Sequence, residues 1–94
     1  MKEKTKTEIK THIKELGIGV VGVIVGYDRS YGGYKGKLNM MGLTPGTQFV
    51  VLNINSQQDT IQIMLDNRII KLSKPEANAL CVEEMTDSDS TMNG

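Results

Sequence analysis

The 94-residue chain has no tryptophan, one phenylalanine and three tyrosines. So little aromatic mass leaves a core to be built from Ile, Val, Leu and Met, and a domain of this size buries only a modest share of its surface. There is one cysteine, Cys81, so no internal disulfide can staple the domain, and a reducing compartment suits it. A structural zinc site is excluded too, because it needs several Cys or His at ligand spacing and the chain has one of each. No long apolar run exists. The longest, Ile18 to Val25, is interrupted by glycines and falls far short of the roughly 20 residues that a membrane helix requires. MKEKTKTEIK has no apolar stretch behind its lysines and does not read as a signal peptide. A two-domain enzyme with its own dinucleotide fold does not fit in 94 residues. The expectation is a small cytoplasmic domain.

An excess of one charge is also missing. Eleven basic residues balance eleven acidic ones. Residues 1–16 carry five Lys and three Glu, residues 17–82 six basic and four acidic side chains, and residues 83–94 only Glu83, Glu84, Asp87 and Asp89. A mildly basic body with an acidic tail lacks the concentrated Lys and Arg face of a nucleic-acid binder.

The pattern along the chain predicts a mainly β domain. Thr5 to Glu8 matches a helix capping box, and Ile9, His12, Ile13 and Leu16 then share one helical face, with Gly17 as the stop. Residues 1–16 therefore read as an N-terminal extension carrying a short helix. Gly19 to Tyr27 reads as a Val-rich strand bent at its glycines, with Gly22 and Ile24 on one face and Val21, Val23 and Val25 on the other. Asp28 to Gly33 reads as a loop and Tyr34 to Met41 as a short helix stopped by Gly42. Thr44-Pro45-Gly46-Thr47 has the signature of a type II turn.

Thr47 to Ile54, Thr60 to Leu65 and Arg68 to Ser73 read as strands, the last two joined at Asp66-Asn67. Ser73-Lys74-Pro75-Glu76 is a second capping box that opens one helical turn before a last strand, Leu80 to Glu84. Five closely spaced short strands over 17–84 point to a small, partly closed barrel, and 85–94 to a disordered acidic tail. Met40, Met41 and Met64 are expected to fill gaps in the core.

The catalytic inventory is empty. Gly17 to Gly22 matches GxGxxG letter for letter, but a phosphate-binding loop needs a strand before it and a helix opening within it, and here a Val-rich strand follows. Ser30 to Gly36 lacks the P-loop pattern. His12 is the sole imidazole, and no spacing sets it beside Cys81, a serine or a carboxylate. The acidic tail is expected to be a solvated charge run, with loose divalent-ion binding as the alternative. Tyr27, Tyr31 and Tyr34 cluster near Arg29, Lys35 and Lys37, which favours a protein-contact patch over a single-strand nucleic-acid platform.

One stretch is more specific. Leu38-x-x-Met41-Gly42-Leu43-Thr44-Pro45-Gly46-Thr47, followed after a hairpin by Ile70-x-Leu72-Ser73-Lys74-Pro75-Glu76-Ala77, resembles the FeoA family over about Leu16 to Val82. The resemblance implies an SH3-like barrel with a helix between its first two strands, no enzymatic activity, and partnership with the ferrous iron transporter FeoB, whose cytosolic part contains a GTPase. No metal ligands carry over from it, so no cofactor is expected beyond weak divalent metal. The same domain type ends the iron-dependent repressors related to DtxR, so a metal-sensing or general protein-interaction module is the alternative. With no helix-turn-helix segment in the chain, a self-standing repressor is excluded.

Val21, Val23, Val50 and Ile69 stand where polar residues are common in that family, which predicts an extra apolar outer face. Either the N-terminal helix lays Ile9, Ile13 and Leu16 over it, or it stays open to bind FeoB or a second copy. Together with Tyr31, Tyr34, Lys35 and Lys37, these residues are the expected partner contacts.

Overall fold

The structure, a computed structural model, describes residues 11–85. β1 (Val21–Tyr27) alternates as its sequence predicts: Gly22 and Ile24 are buried, while Val21 and Val25 are exposed. Its register with the last strand shifts between Ile24 and Gly26, a bulge that bends the strand at its second glycine. In place of the expected loop, Asp28 caps a 3-10 segment, Arg29–Tyr34, by accepting a hydrogen bond from the Ser30 N–H at 2.9 Å. α1 (Lys35–Met40) follows. It ends in a full Schellman motif: Gly42 has φ +90°, the Leu43 N–H donates to the Leu38 carbonyl at 3.0 Å, and the Gly42 N–H donates to Asn39 at 3.1 Å. Leu38 and Leu43, which bracket the motif, are both fully buried.

The Pro-Gly corner has the predicted geometry. Thr47 N–H donates to the Thr44 carbonyl at 3.0 Å, and Gly46 has φ +93°. Two further bonds tie the corner to β1: Gly46 N–H to the Ile24 carbonyl at 2.7 Å, and Ile24 N–H to the Thr47 carbonyl at 2.9 Å. β2 (Gln48–Asn55), β3 (Thr60–Leu65) and β4 (Arg68–Ser73) then form a meander. At the first hairpin the Asn55 Oδ1 accepts from the N–H groups of Gln57 and Gln58, and Asp59 takes a left-handed φ of 55°. At the second, Asp66 does so at 58°. α2 (Lys74–Asn78) carries the predicted capping box, with Ser73 N–H bonded to the Glu76 Oε1 at 2.8 Å and Glu76 N–H to the Ser73 Oγ at 3.4 Å. β5 (Leu80–Glu84) completes the fold.

The strand order is β4-β3-β2-β1-β5, antiparallel throughout. β4 and β5 lie at opposite ends of that order, yet α2 connects them in the chain and contacts both. The sheet therefore rolls toward closure around one core, giving the partly closed barrel that the strand spacing predicts, SH3-like as the resemblance implies.

Two expectations about that core need correction. Its largest buried side chain is Phe49, 1% exposed, which sits opposite Gly22. The methionines do not fill it: Met40 is 89% exposed, Met64 is half-buried on the outer sheet face, and only Met41 packs partly against the core. The inward positions of each strand carry other side chains, and the phase of β3 turns Met64 outward.

The N-terminal segment also departs from its pattern. Thr11 forms a β-bridge with Val82, its carbonyl accepting from the Val82 N–H at 2.9 Å, and Ile13–Glu15 is a single 3-10 turn. Ile13 and Leu16 are buried in the core, so they do not cover the outer face. Pairing with the open edge of β5 satisfies backbone groups that a marginal lone helix would leave to water. Thr5, Glu8 and Ile9 of the expected helix, and the tail beyond Met85, lie outside the described residues.

Gly46→Ala should destabilise the domain by about 1 kcal/mol, because an added Cβ meets nothing within 4 Å and only the left-handed backbone resists it. Gly22→Ala should cost more, roughly 1–3 kcal/mol, because its Cβ would lie 2.5 Å from the Phe49 ring. Thermal melts of the two variants check both the size and the order.

Candidate functional site

Antiparallel sheets of this kind usually present a polar face to water. Here the inner face takes Gly22, Phe49, Ile63 and Leu72, so the alternate residues point out. The register then aligns them: Val21 lies opposite Val50, Val50 opposite Met64, and Met64 opposite Ile69. On the far side of β1, the Met85 N–H donates to the Val21 carbonyl at 2.8 Å, which extends the row to the end of β5. Met85, Val21, Val50, Met64 and Ile69 thus form one apolar band across the sheet. At about 4.8 Å per strand spacing it runs roughly 19 Å. Ile69 is 61% exposed, and Val21 and Met85 are also open to solvent. The polar residues Gln62 and Lys71 continue the outer face on one side. On the other, Val23 stands between Gln48 and Glu83.

Of the expected contact residues, Val21, Val50 and Ile69 lie in this band, and Val23 borders it. Met64 and Met85 are additions. Met64 alternates with Ile63 and Leu65 on β3, which is the signal that places it outside the core.

The second expected group sits in the insert between β1 and β2 and is largely engaged within the domain. Tyr31 and Tyr34 pack partly against the core with ring centroids 6.5 Å apart at 49°. The Tyr27 hydroxyl donates to the Leu43 carbonyl at 2.7 Å, and the Lys35 ammonium lies 5.7 Å from the centre of the Tyr27 ring. Lys37 forms an ion pair with Glu76, linking α1 to α2. Burial pushes the Glu76 carboxyl up, but the hydrogen bond from Lys37 and those from Ser73 outweigh it and hold the group below its ordinary 4.5. The same hydrogen bond and charge hold the Lys37 ammonium above its ordinary 10.5.

Spacing gave no warning of two other links. The His12 Nε2 lies 3.1 Å from the Asp28 Oδ2, fixing the N-terminal segment to the cap of the 3-10 segment. The Arg68 guanidinium donates to the Met41 carbonyl at 3.2 Å, joining β4 to the end of α1. Each joins residues far apart in the chain. Cys81 is half-buried on the outward side of β5. Among the described residues, no group of three or more His, Cys, Asp or Glu side chains is placed to hold a metal ion, and no helix is long and apolar enough to cross a membrane.

Residues 11–84 match the family model described as the FeoA domain. The chain belongs to the FeoA family. The match begins at Thr11 rather than near Leu16, so the segment that bridges β5 and buries Ile13 is part of the family domain. A FeoA-like protein from Clostridium acetobutylicum superposes with a TM-score of 0.72 at 22% identity, over 82% of this chain and 88% of that one. An iron uptake regulatory protein (FeoA) gives 0.68 at 26% identity, over 82% and 99%. A manganese-dependent transcriptional repressor in complex with manganese gives 0.73 at 16% identity, over 81% of this chain but only 37% of the repressor, a likeness of fold alone. No curated protein matches the sequence. FeoA domains are non-enzymatic accessory domains linked to ferrous iron uptake, and the barrel with its inserted helix has the architecture that the resemblance implies.

The Lys37–Glu76 pair sets an acid limit. A carboxyl whose folded value is depressed contributes stability above its unfolded value and loses it as the pH falls through the folded one. The urea midpoint should therefore hold from neutral pH to about 4.5 and fall below it, more steeply in the wild type than in Glu76→Gln. Parallel slopes would remove Glu76 from the acid response. Ser73→Ala, which removes one half of the capping box, should cost about 1 kcal/mol in the same assay.

Proposed function

We infer that this FeoA domain is a non-catalytic regulatory adaptor of ferrous iron uptake. It docks on the cytosolic, GTPase-containing part of a FeoB-type transporter through the outer sheet face. The observation that carries the reading is the apolar band from Met85 to Ile69, a surface without evident catalytic chemistry but with the character of a protein contact. Family membership supports the iron-uptake context. Tyr31, Tyr34, Lys35 and Lys37 form the rim of the contact in this reading, and Val21, Val23, Val50 and Ile69 its centre. The adaptor acts in the cytoplasm and needs no cofactor of its own, because iron is the transporter's cargo.

Docking alters transport only if the adaptor prefers one transporter state, since equal affinity for two states shifts neither. The domain's contribution is a rigid presentation of the band. The strand backbone fixes the side-chain spacing before contact, so little ordering entropy is lost on binding.

The test is calorimetric titration of the full chain into the transporter's soluble domain. Ile69→Asp and Met64→Glu replace outward side chains and should leave the melting temperature close to wild type. Each should weaken binding by at least about tenfold, while Lys35→Glu changes it less. Full affinity in both band variants would refute docking through this face. A response to ferrous ion alone, with none to the transporter domain, would move the chain to the sensor class.

A further inference from the structure

A second surface lies apart from the band, between the first β-hairpin and α2. It is a cleft of about 140 Å³ with an apolar floor of Ile54, Ile61 and Ala77. Asn78, the last residue of α2, lines it and is nine-tenths buried. Its side-chain amide makes no hydrogen bond among the described residues. Buried side-chain amides are usually hydrogen-bonded, so the Asn78 amide is available to a polar group that enters the cleft. Lys14, on the N-terminal 3-10 turn, and Lys74, at the start of α2, stand on the rim. Neither forms an ion pair among the described residues. Asp59 is the one acidic residue of the lining, so the cleft keeps a net positive charge.

These features select a ligand by elimination. The apolar floor demands an apolar body, which inorganic anions lack. Two ammonium groups against one carboxylate disfavour cations. The Asn78 amide lines the cleft and can donate an N–H to a carboxylate oxygen, while the two lysines supply the opposite charge. A cavity of about 150 Å³ admits a benzene ring, so the volume suits about six carbons.

We propose that this cleft binds a short aliphatic monocarboxylate, its chain on Ile54, Ile61 and Ala77 and its carboxylate between the Asn78 amide and the two lysines. The site does not depend on the transporter reading. Residues from three separate segments build it: the N-terminal turn, the β2–β3 hairpin and α2. Occupancy would therefore brace the N-terminal segment against the barrel.

The experiment is an NMR titration of the full-length, 15N-labelled chain with hexanoate, with hexylamine and acetate as controls. Hexanoate is expected to shift the Asn78 side-chain amide and the backbone signals of Ile54 and Ala77 in a saturable manner. Hexylamine and acetate should leave them in place at the same concentration. A Lys14→Ala, Lys74→Ala double variant should stay folded, its spectrum differing only near the two substitutions, and bind hexanoate about fivefold more weakly. Equal shifts with hexylamine would overturn the charge assignment, and with it the proposal. So would an unaltered affinity in the double variant, or no saturable response to hexanoate.

Discussion

The outward surface of this domain depends on one contact inside it. The single phenylalanine of the chain, Phe49, lies opposite Gly22, where β1 has no Cβ. The ring occupies that space, and a side chain at Gly22 would collide with it. Because strand side chains alternate with a period of two, fixing Phe49 inward fixes every neighbour. A slip of one residue would send Phe49 into water and turn Val50 into the core. With the register held, Val21 aligns with Val50, and the β2–β3 and β3–β4 pairings carry the row on to Met64 and Ile69. The apolar band is thus the outer consequence of the way the interior packs.

Much of the fold was legible in the sequence because its signals are local. The Pro45-Gly46 corner, the stop at Gly42, the Ser73–Glu76 capping box and the strand alternations each depend on residues a few positions apart, and each appears where its pattern stands. The N-terminal segment shows where local reasoning ends. Ile9, His12, Ile13 and Leu16 have helical spacing, but in the described part the edge of β5 offered backbone partners that no local pattern reveals. Tertiary pairing won over a weak helical preference. The methionines show a different limit: hydrophobicity alone sent Met40 and Met64 to the core, whereas their phase within α1 and β3 sends them outward.

The candidate sites were legible to different degrees. Val21, Val23, Val50 and Ile69 stood out as apolar residues where the resembled family commonly carries polar ones, and cross-strand register joined three of them into a band. The tyrosine–lysine group was visible as a cluster, but not its ties inward: Lys37 to Glu76, Tyr27 to Leu43, and Lys35 over the Tyr27 ring. The Asn78 cleft had no linear signature, since Lys14, Ile54 and Asn78 come together only through the roll of the sheet.

The methionines of this chain supply the most direct probe of the docking claim. Met64 and Met85 lie in the band. Oxidation of a methionine side chain to its sulfoxide follows its exposure, and each site is resolved by mass spectrometry. With a saturating amount of the transporter's soluble cytosolic domain, Met64 and Met85 should oxidise more slowly than in the free chain. Unchanged rates at both would contradict the account.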